Sequence, residues 1–103
     1  MFSVFAGTSP DQVKEVVDLS IAEMREVVKN GVTQDELDLA KQQTTASILL
    51  GLEDSAARAA TLAQSEMIHG RQIPLDETLE NLNAVTTEDL QDIATEFFRT
   101  ENI

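Results

Sequence analysis

Apolar residues recur at steps of three and four positions through much of the chain, and this spacing is typical of amphipathic helices. Ser9 and Pro10 predict the start of the first helix, because serine caps free N–H groups and proline fits the first helical position. Gln12 would complete a capping box there, and Gly31 predicts the helix end. The apolar stripe of this helix consists of Val13, Val16, Val17, Ile21, Met24, Val27 and Val28.

The same signals predict helices further along the chain. Thr33 and Glu36 have the spacing of a capping box and predict a second helix start. Helical spacing continues from there to Met67, with a break near residues 51–54, and it stops at Gly70. The pattern therefore predicts a second helix before the break and a third after it.

The C-terminal part of the chain predicts two shorter helices. Asp76 is expected to cap the first of them and Thr86 the second. The last helix is expected to bury its apolar side chains, which are Ile93, Ala94, Phe97 and Phe98.

The N-terminal residues alternate differently from the rest of the chain. Phe2, Val4 and Ala6 would share one face of a strand that ends at Gly7. The predicted fold class is therefore α+β and predominantly helical, with one N-terminal strand followed by four to five helices in a single partial domain, residues 1–103. Because a lone strand is unstable, its partners must come from elsewhere in the fold, from another copy or from additional polypeptide.

Composition restricts the function classes. Hydrophobic residues make up 42% and charged residues 25% of the chain, as in ordinary globular domains. Lysine and arginine number 7 against 19 acidic residues, a net charge of -12, which argues against nucleic acid as a partner. The charge alone would suit a binder of cations or basic peptides. No apolar run reaches the length of a membrane span, and residues 1–10 lack the features of an export signal, so we expect no membrane partner and a cytoplasmic location.

Two groups of residues could ligate a metal ion. Glu66 and His69 form a Glu-x-x-His pair, but helical di-metal sites need two such pairs, and this is the only histidine. Acidic clusters at residues 35–38 and at residues 53–54 lack the spacing of a calcium loop, and acidic residues are expected in the first turn of a helix. We therefore predict no metal-ligating residue and no cofactor in this chain. The acidic residues concerned are Asp35, Glu36, Asp38, Glu53 and Asp54.

Catalytic side chains are not indicated either. The sequence contains no cysteine, and no serine lies in a Gly-x-Ser-x-Gly turn or has a second histidine to share. Gly70 and Arg71 do not form a phosphate loop, and Arg58 and Arg71 are expected to pack or to pair at the surface. We predict no catalytic and no cofactor-binding residue. The serines considered are Ser9, Ser20, Ser47, Ser55 and Ser65.

Helix ends and turns follow one another in a specific order over essentially the whole chain. The segments are 6–10 (AGTSP), 31–37 (GVTQDEL) with 40–42 (AKQ), 49–55 (LLGLEDS) with Arg58, 70–71 (GR) with 75–77 (LDE), and 83–90 (NAVTTEDL). Together they resemble the zinc metallopeptidases that include pitrilysin, insulin-degrading enzyme and the mitochondrial processing peptidases, and they look most like the bacterial branch.

The resemblance implies a larger protein. In that family two α/β domains enclose a chamber, the first carries a His-x-x-Glu-His zinc helix, and the second is commonly inert. This chain resembles the later part of the second domain and contains no His-x-x-Glu-His motif. The arginine and tyrosine with which that domain helps to hold substrate would lie just upstream. The family pattern runs through residues 1–5 (MFSVF) as an interior strand, and this strand has no partner here, so we expect Met1 to be an internal or truncation start.

Two functions follow as hypotheses. The first is a non-catalytic scaffold portion of a zinc metalloendopeptidase, with zinc in the parent and with a peptide substrate and the zinc-bearing N-terminal domain as partners. The alternative is a free-standing helical module for protein–protein interaction or self-association, through the unpaired strand and the apolar helix faces.

Overall fold

A computed structural model describes residues 2–99 and 101 of the chain. Its regular secondary structure is helical, and a short 3-10 turn at Pro10–Gln12 precedes the first α-helix. The α-helices are α1 (Val13–Asn30), α2 (Gln34–Gly51), α3 (Ser55–His69), α4 (Leu75–Ala84) and α5 (Thr87–Phe97).

The predicted α+β class is wrong, because the described residues form helices and contain no strand. Residues 2–9 form neither helix nor strand, and Met1 lies outside the described residues. A strand is stabilised by hydrogen bonds to a neighbouring strand, and residues 2–99 and 101 offer none. The alternation of Phe2, Val4 and Ala6 has another use, since these side chains line concave surfaces together with α1.

The start of α1 differs from the predicted capping box. The Ser9 side chain makes no capping bond, and its hydroxyl instead donates to Oε1 of Gln12 at 3.1 Å. The backbone N–H of Gln12 already donates to the Ser9 carbonyl at 3.0 Å, which closes a 3-10 turn. The N–H group that the serine hydroxyl would have capped is therefore occupied.

The boundary between α1 and α2 follows the sequence prediction. Gly31 has φ +69°, a value that L-residues with a side chain rarely adopt, and its N–H donates to the Val27 carbonyl at 2.9 Å. At the start of α2, the N–H of Glu36 donates to Oγ1 of Thr33 at 3.2 Å. The N–H of Thr33 donates in return to Oε2 of Glu36 at 2.8 Å, so the predicted capping box is confirmed.

Local interactions determine where the later helices begin and end. Asp54 caps α3 by accepting the N–H groups of Ala56 at 2.8 Å and Ala57 at 3.2 Å. The third helix ends at His69, as predicted. The prediction that Asp76 caps the fourth helix is wrong: α4 begins at Leu75, so Asp76 lies inside its first turn, where the carboxylate suits the helix dipole.

The chain divides into two compact units. Unit 1 consists of Met1–Val32 and Glu88–Ile103, and unit 2 of Thr33–Thr87. Among the described residues only Leu37 in unit 2 and Ala94 in unit 1 are buried hydrophobic side chains, each 4% exposed. The described residues of each unit therefore form no extensive core.

Candidate interaction surface

Unit 1 carries a concave apolar surface between residues 2–8, α1 and α5. It consists of three adjoining hollows of about 470, 390 and 320 Å3, which share several lining side chains. We call this surface the apolar groove. Its principal lining residues are Phe2, Val4, Val13, Val17, Met24, Val27, Ile93, Ala94, Phe97 and Phe98.

The stripe of α1 forms one side of the groove, and two contacts connect it to the C-terminal part of unit 1. Nε2 of Gln91 donates to the carbonyl of Val28 at 3.1 Å, near the end of α1. The rings of Phe2 and Phe98 meet edge to face, with centroids 5.1 Å apart. These contacts hold the first residues, α1 and α5 around a common hollow.

The groove is lined almost entirely by apolar side chains. Glu23 is the one ionisable side chain among the described residues that line it. Ser20 also lines it, but its hydroxyl donates to the Val16 carbonyl at 2.7 Å within α1. A surface of this kind suits the apolar side chains of a binding partner.

Much of the groove lining is open to solvent. The sequence pattern predicted that α5 buries its apolar face, but Ile93 is 55% and Phe97 49% exposed, and of that set only Ala94 is buried. Helical periodicity identified the apolar face correctly, but it contains no information about what covers that face. Phe2 is 61% exposed at the junction of two hollows.

Glu66, one of the two residues considered for a metal-binding pair, has another partner. The carboxylate of Glu66 accepts a hydrogen bond from Nε2 of Gln72 at 3.1 Å, and the same amide nitrogen donates to the Leu62 carbonyl at 3.2 Å. His69 is the last residue of α3. Within residues 2–99 and 101, no group of three or more His, Cys, Asp or Glu side chains is placed to hold a metal ion.

The acidic clusters are used at helix ends. Glu36 belongs to the capping box of α2, and Asp54 caps α3. Oδ1 of Asp38 accepts a hydrogen bond from Nε2 of Gln34 at 2.8 Å. The structure therefore gives these carboxylates local roles in their own helices.

Arg71 and Glu77 form a two-bond ion pair between the α3–α4 loop and α4. The distances are 2.9 Å from Nη1 to Oε2 and 2.5 Å from Nη2 to Oε1. The hydrogen bonds and then the charge of Glu77 raise the pKa of Arg71. The hydrogen bond from Arg71 is the main cause that lowers the pKa of Glu77; desolvation opposes it, and the charges of Arg71 and then of His69 lower the pKa further. Both side chains are more than a third exposed, so the pair adds little stability.

Within the part of the chain that the structure describes, no helix is long and apolar enough to cross a bilayer.

Comparison with known proteins gives the chain a family context. Residues 1–44, which include α1 and the beginning of α2, match the family model described as the Peptidase M16 inactive domain. An uncharacterized zinc protease of Streptomyces coelicolor is 35% identical over 94 residues, which make up 91% of this chain and 20% of that protein. The chain is similar to the M16 inactive domain. The resemblance predicted from the sequence is thus confirmed.

Other relatives are similar over most of the chain. An uncharacterized zinc protease of Mycobacterium tuberculosis is 30% identical over 92 residues, or 89% of this chain and 21% of that protein. A probable mitochondrial-processing peptidase subunit alpha-2 of Arabidopsis thaliana is 29% identical over 92 residues, or 89% of this chain and 18% of that protein. The chain therefore spans about a fifth of the length of these curated relatives.

The apolar groove was not predicted as a site. The sequence identified the α1 stripe and the apolar face of the last helix, but nothing in their spacing shows that the two lie around one hollow. Gln91, which bonds the end of α1, is a polar residue with no motif around it. The alternation of Phe2, Val4 and Ala6 was the available signal, and it was interpreted as a strand.

Proposed function

We propose that this chain is a non-catalytic scaffold portion of a zinc-dependent metalloendopeptidase and helps to build the wall of the chamber that receives a peptide substrate. The observation that carries the proposal is the match of residues 1–44 to the Peptidase M16 inactive domain. The relatives named zinc proteases support it, since their similarity continues over about nine tenths of the chain.

The sparse core is in keeping with a portion of a larger assembly. Leu37 and Ala94 are the buried hydrophobic side chains among the described residues, whereas an independent domain of this length normally buries well over half of its surface. Large apolar side chains are also exposed in unit 2, including Leu50 at 69%, Met67 at 85% and Ile68 at 70%. Additional polypeptide that covers such side chains would stabilise the chain.

The proposed contribution to catalysis is positional. A chamber wall aligns the peptide and limits the access of water, and it needs no ionisable group of its own. Under this proposal the zinc ion and the groups that bind it belong to a separate zinc-bearing domain, which is the partner of this chain together with the peptide substrate. We also propose that residues 1–103 form part of one non-catalytic domain.

A chimera tests the scaffold role. Residues of this chain replace the matched 94-residue segment of the Streptomyces coelicolor zinc protease, and the chimera is compared with the unaltered protein in parallel. We expect a folded chimera with a similar melting temperature and with the same chelator-sensitive hydrolysis of an unstructured peptide. An insoluble chimera, or one that has lost the hydrolysis shown by the unaltered protein, would contradict the proposal.

Two alanine variants control the chimera. Ala94→Asp places a charge at a buried position of unit 1, so it should lower both the melting temperature and the activity. Ala63→Asp makes the same substitution at an exposed position of α3, so it should change the melting temperature and the activity only slightly. Equal effects of the two would show that the segment is not packed as described.

A peptidase assay on the isolated chain tests the proposal that it is non-catalytic. The 103-residue chain is incubated with a peptide and added zinc, with and without a chelator. We expect no cleavage above background, and clear chelator-sensitive cleavage would refute the non-catalytic assignment.

The alternative of a free-standing interaction module is favoured by one observation, the exposed apolar groove. Such a module would be a well-folded oligomer of defined size as the isolated chain. A weakly folded monomer would instead favour the scaffold portion. Size in solution and helix content, measured together, separate the two.

A further inference from the structure

We propose that the Asn30–Gly31 bond is a site of spontaneous chemical modification, at which Asn30 converts to aspartate and isoaspartate, and that the C-terminal turn of α1 controls the rate of this conversion. The proposal is independent of the proposed role in a peptidase, because every contact involved lies within α1 and its C-cap or joins them to Gln91.

Asn30 precedes the residue that hinders the reaction least. Asparagine is thermolabile because the backbone nitrogen of the following residue can attack its side-chain carbonyl carbon. Glycine has no Cβ to obstruct that approach. In this sequence only Asn30 precedes a glycine, whereas Asn81, Asn83 and Asn102 precede leucine, alanine and isoleucine. The sequence therefore distinguishes Asn30 from the other asparagines.

The conversion consumes water and no other reagent. The Gly31 nitrogen loses its proton and forms a bond to Cγ of Asn30, and the side-chain amide group takes up that proton and leaves as ammonia. The product is a succinimide ring. Water then adds to one of the two ring carbonyls. Breakage of the bond between nitrogen and Cγ gives aspartate, and breakage of the bond between nitrogen and the backbone carbonyl carbon gives isoaspartate.

The folded structure holds both reacting groups away from this reaction. The N–H of Gly31 donates to the Val27 carbonyl at 2.9 Å, so the attacking nitrogen is engaged in the helix. Nδ2 of Asn30 donates to Oε1 of Glu26, which keeps the amide over the preceding turn. Asn30 is also the last residue of α1, and helical backbone angles do not bring the nitrogen to Cγ. The conversion therefore requires the last turn of α1 to open.

Gln91 of α5 stabilises the closed turn. The end of a helix leaves carbonyls without helical partners, and Nε2 of Gln91 donates to one of them, that of Val28, at 3.1 Å. Oε1 of Gln91 also lies 3.2 Å from the position that a Cβ on Gly31 would occupy, so the side chain packs against the glycine. Loss of one hydrogen bond of ordinary strength should make the open turn about two- to tenfold more populated.

The product destabilises the turn in which it forms. Deamidation replaces the amide that donates to Glu26 with a carboxylate, so two negative charges lie four positions apart on one helix face. The new charge is also at the C-terminus of α1, where the helix dipole disfavours it. Asn30→Asp reproduces this change and should lower the melting temperature by roughly 2–6 °C. An unchanged melting temperature would overturn this consequence.

Peptide mapping of the full chain tests the site and its control. The chain is kept at mildly alkaline pH with and without denaturing guanidinium chloride, and mass spectrometry of the digest follows Asn30, with Asn83 as the internal reference. We expect Asn30 to convert faster than Asn83 in denaturant, and at least tenfold more slowly in the native chain. A rate in denaturant no higher than that of Asn83 would overturn the site. Equal Asn30 rates with and without denaturant would overturn control by the turn.

Two glutamine variants locate the control. Gln91→Ala should raise the native rate at Asn30 about two- to tenfold and leave the rate in denaturant unchanged. Gln72→Ala is the matched control, because Nε2 of Gln72 donates to the Leu62 carbonyl at 3.2 Å in unit 2, and it should leave both rates unchanged. Circular dichroism monitors helix content. Equal acceleration by the two variants would overturn local control. The comparison with and without denaturant needs no variant, so it decides even if Gln91→Ala does not fold.

Discussion

Replacing Thr33 with alanine is expected to destabilise α2. The substitution removes the acceptor of the Glu36 N–H, which lies 3.2 Å from Oγ1 of Thr33. It leaves intact the reciprocal bond from the Thr33 N–H to the Glu36 carboxylate at 2.8 Å. The lost N-cap bond is worth about 1 kcal/mol, within a range of roughly 0.5–2 kcal/mol.

Urea unfolding monitored by circular dichroism measures this effect. For a chain of this size the free energy of unfolding falls by roughly 1–3 kcal/mol per molar urea, so Thr33→Ala should lower the midpoint by about 0.3–1 M. All variants are compared at one protein concentration, because any association between copies would make apparent stability depend on concentration. Glu36→Ala should destabilise as well, and the double variant should lose less than the sum of the two single losses, since the bonds belong to one motif.

Ser9→Ala is the matched control. Ser9 and Gln12 have the same capping-box spacing as Thr33 and Glu36, but the Ser9 hydroxyl donates to an exposed glutamine side chain and caps no N–H group. We therefore expect a loss below ~0.5 kcal/mol, as for ordinary surface substitutions. If Ser9→Ala costs as much as Thr33→Ala, the distinction between the 3-10 start of α1 and the capped start of α2 is incorrect.

Two further predictions concern a glycine and an ion pair. Gly31→Ala should lower the free energy of unfolding by about 1–2 kcal/mol, because φ is +69° and the new Cβ would lie 3.2 Å from Oε1 of Gln91. Gly51→Ala is the control and should be neutral or slightly stabilising, because the new Cβ would meet no atom within 4 Å. Thermal melting of both variants measures the difference. The pKa of Glu77, measured by NMR titration, should lie below its usual value of about 4.5 and should rise in Arg71→Gln. Because the folded-state pKa is lowered, the contribution of the pair to stability is present above pH 4.5 and is lost as the pH falls through the lowered pKa. If the Glu77 titration is unchanged in Arg71→Gln, the pair does not form.

Interactions between residues close in the chain could be predicted from the sequence. The capping box at Thr33 and the helix end at Gly31 each depend on a few adjacent residues, so their spacing was sufficient. The same spacing gave a wrong prediction at Ser9. There the backbone N–H of Gln12, which a capping serine hydroxyl would accept, already donates to the Ser9 carbonyl in a 3-10 turn. The sequence predicted the N-cap of the fourth helix at Asp76, two positions later than the observed N-cap Pro74, since a first-turn carboxylate and an N-cap produce similar patterns.

Interactions between distant residues could not be predicted. The N-terminal alternation of apolar residues fits both a strand and an irregular segment packed on a helix, and only the presence or absence of a neighbouring strand decides between them. The bond from Nζ of Lys41 in α2 to the Asn83 carbonyl at the end of α4, 2.8 Å long, has no local signal. The exposure of Ile93 was not predicted, because periodicity shows which residues share a helix face but not whether another part of the protein packs on that face. The groove is therefore known only from the structure.

The division of the chain has a consequence for the order in which it folds. Unit 2 is continuous in sequence, whereas unit 1 combines residues from both ends of the chain. The Gln91–Val28 bond joins positions 63 apart, so unit 1 must close a long loop before its contacts form. During synthesis all of unit 2 emerges before α5, so unit 2 can fold while unit 1 is still incomplete. Slower translation through residues 33–87 would lengthen the interval between the appearance of α1 and that of Gln91, which bonds its C-terminal end.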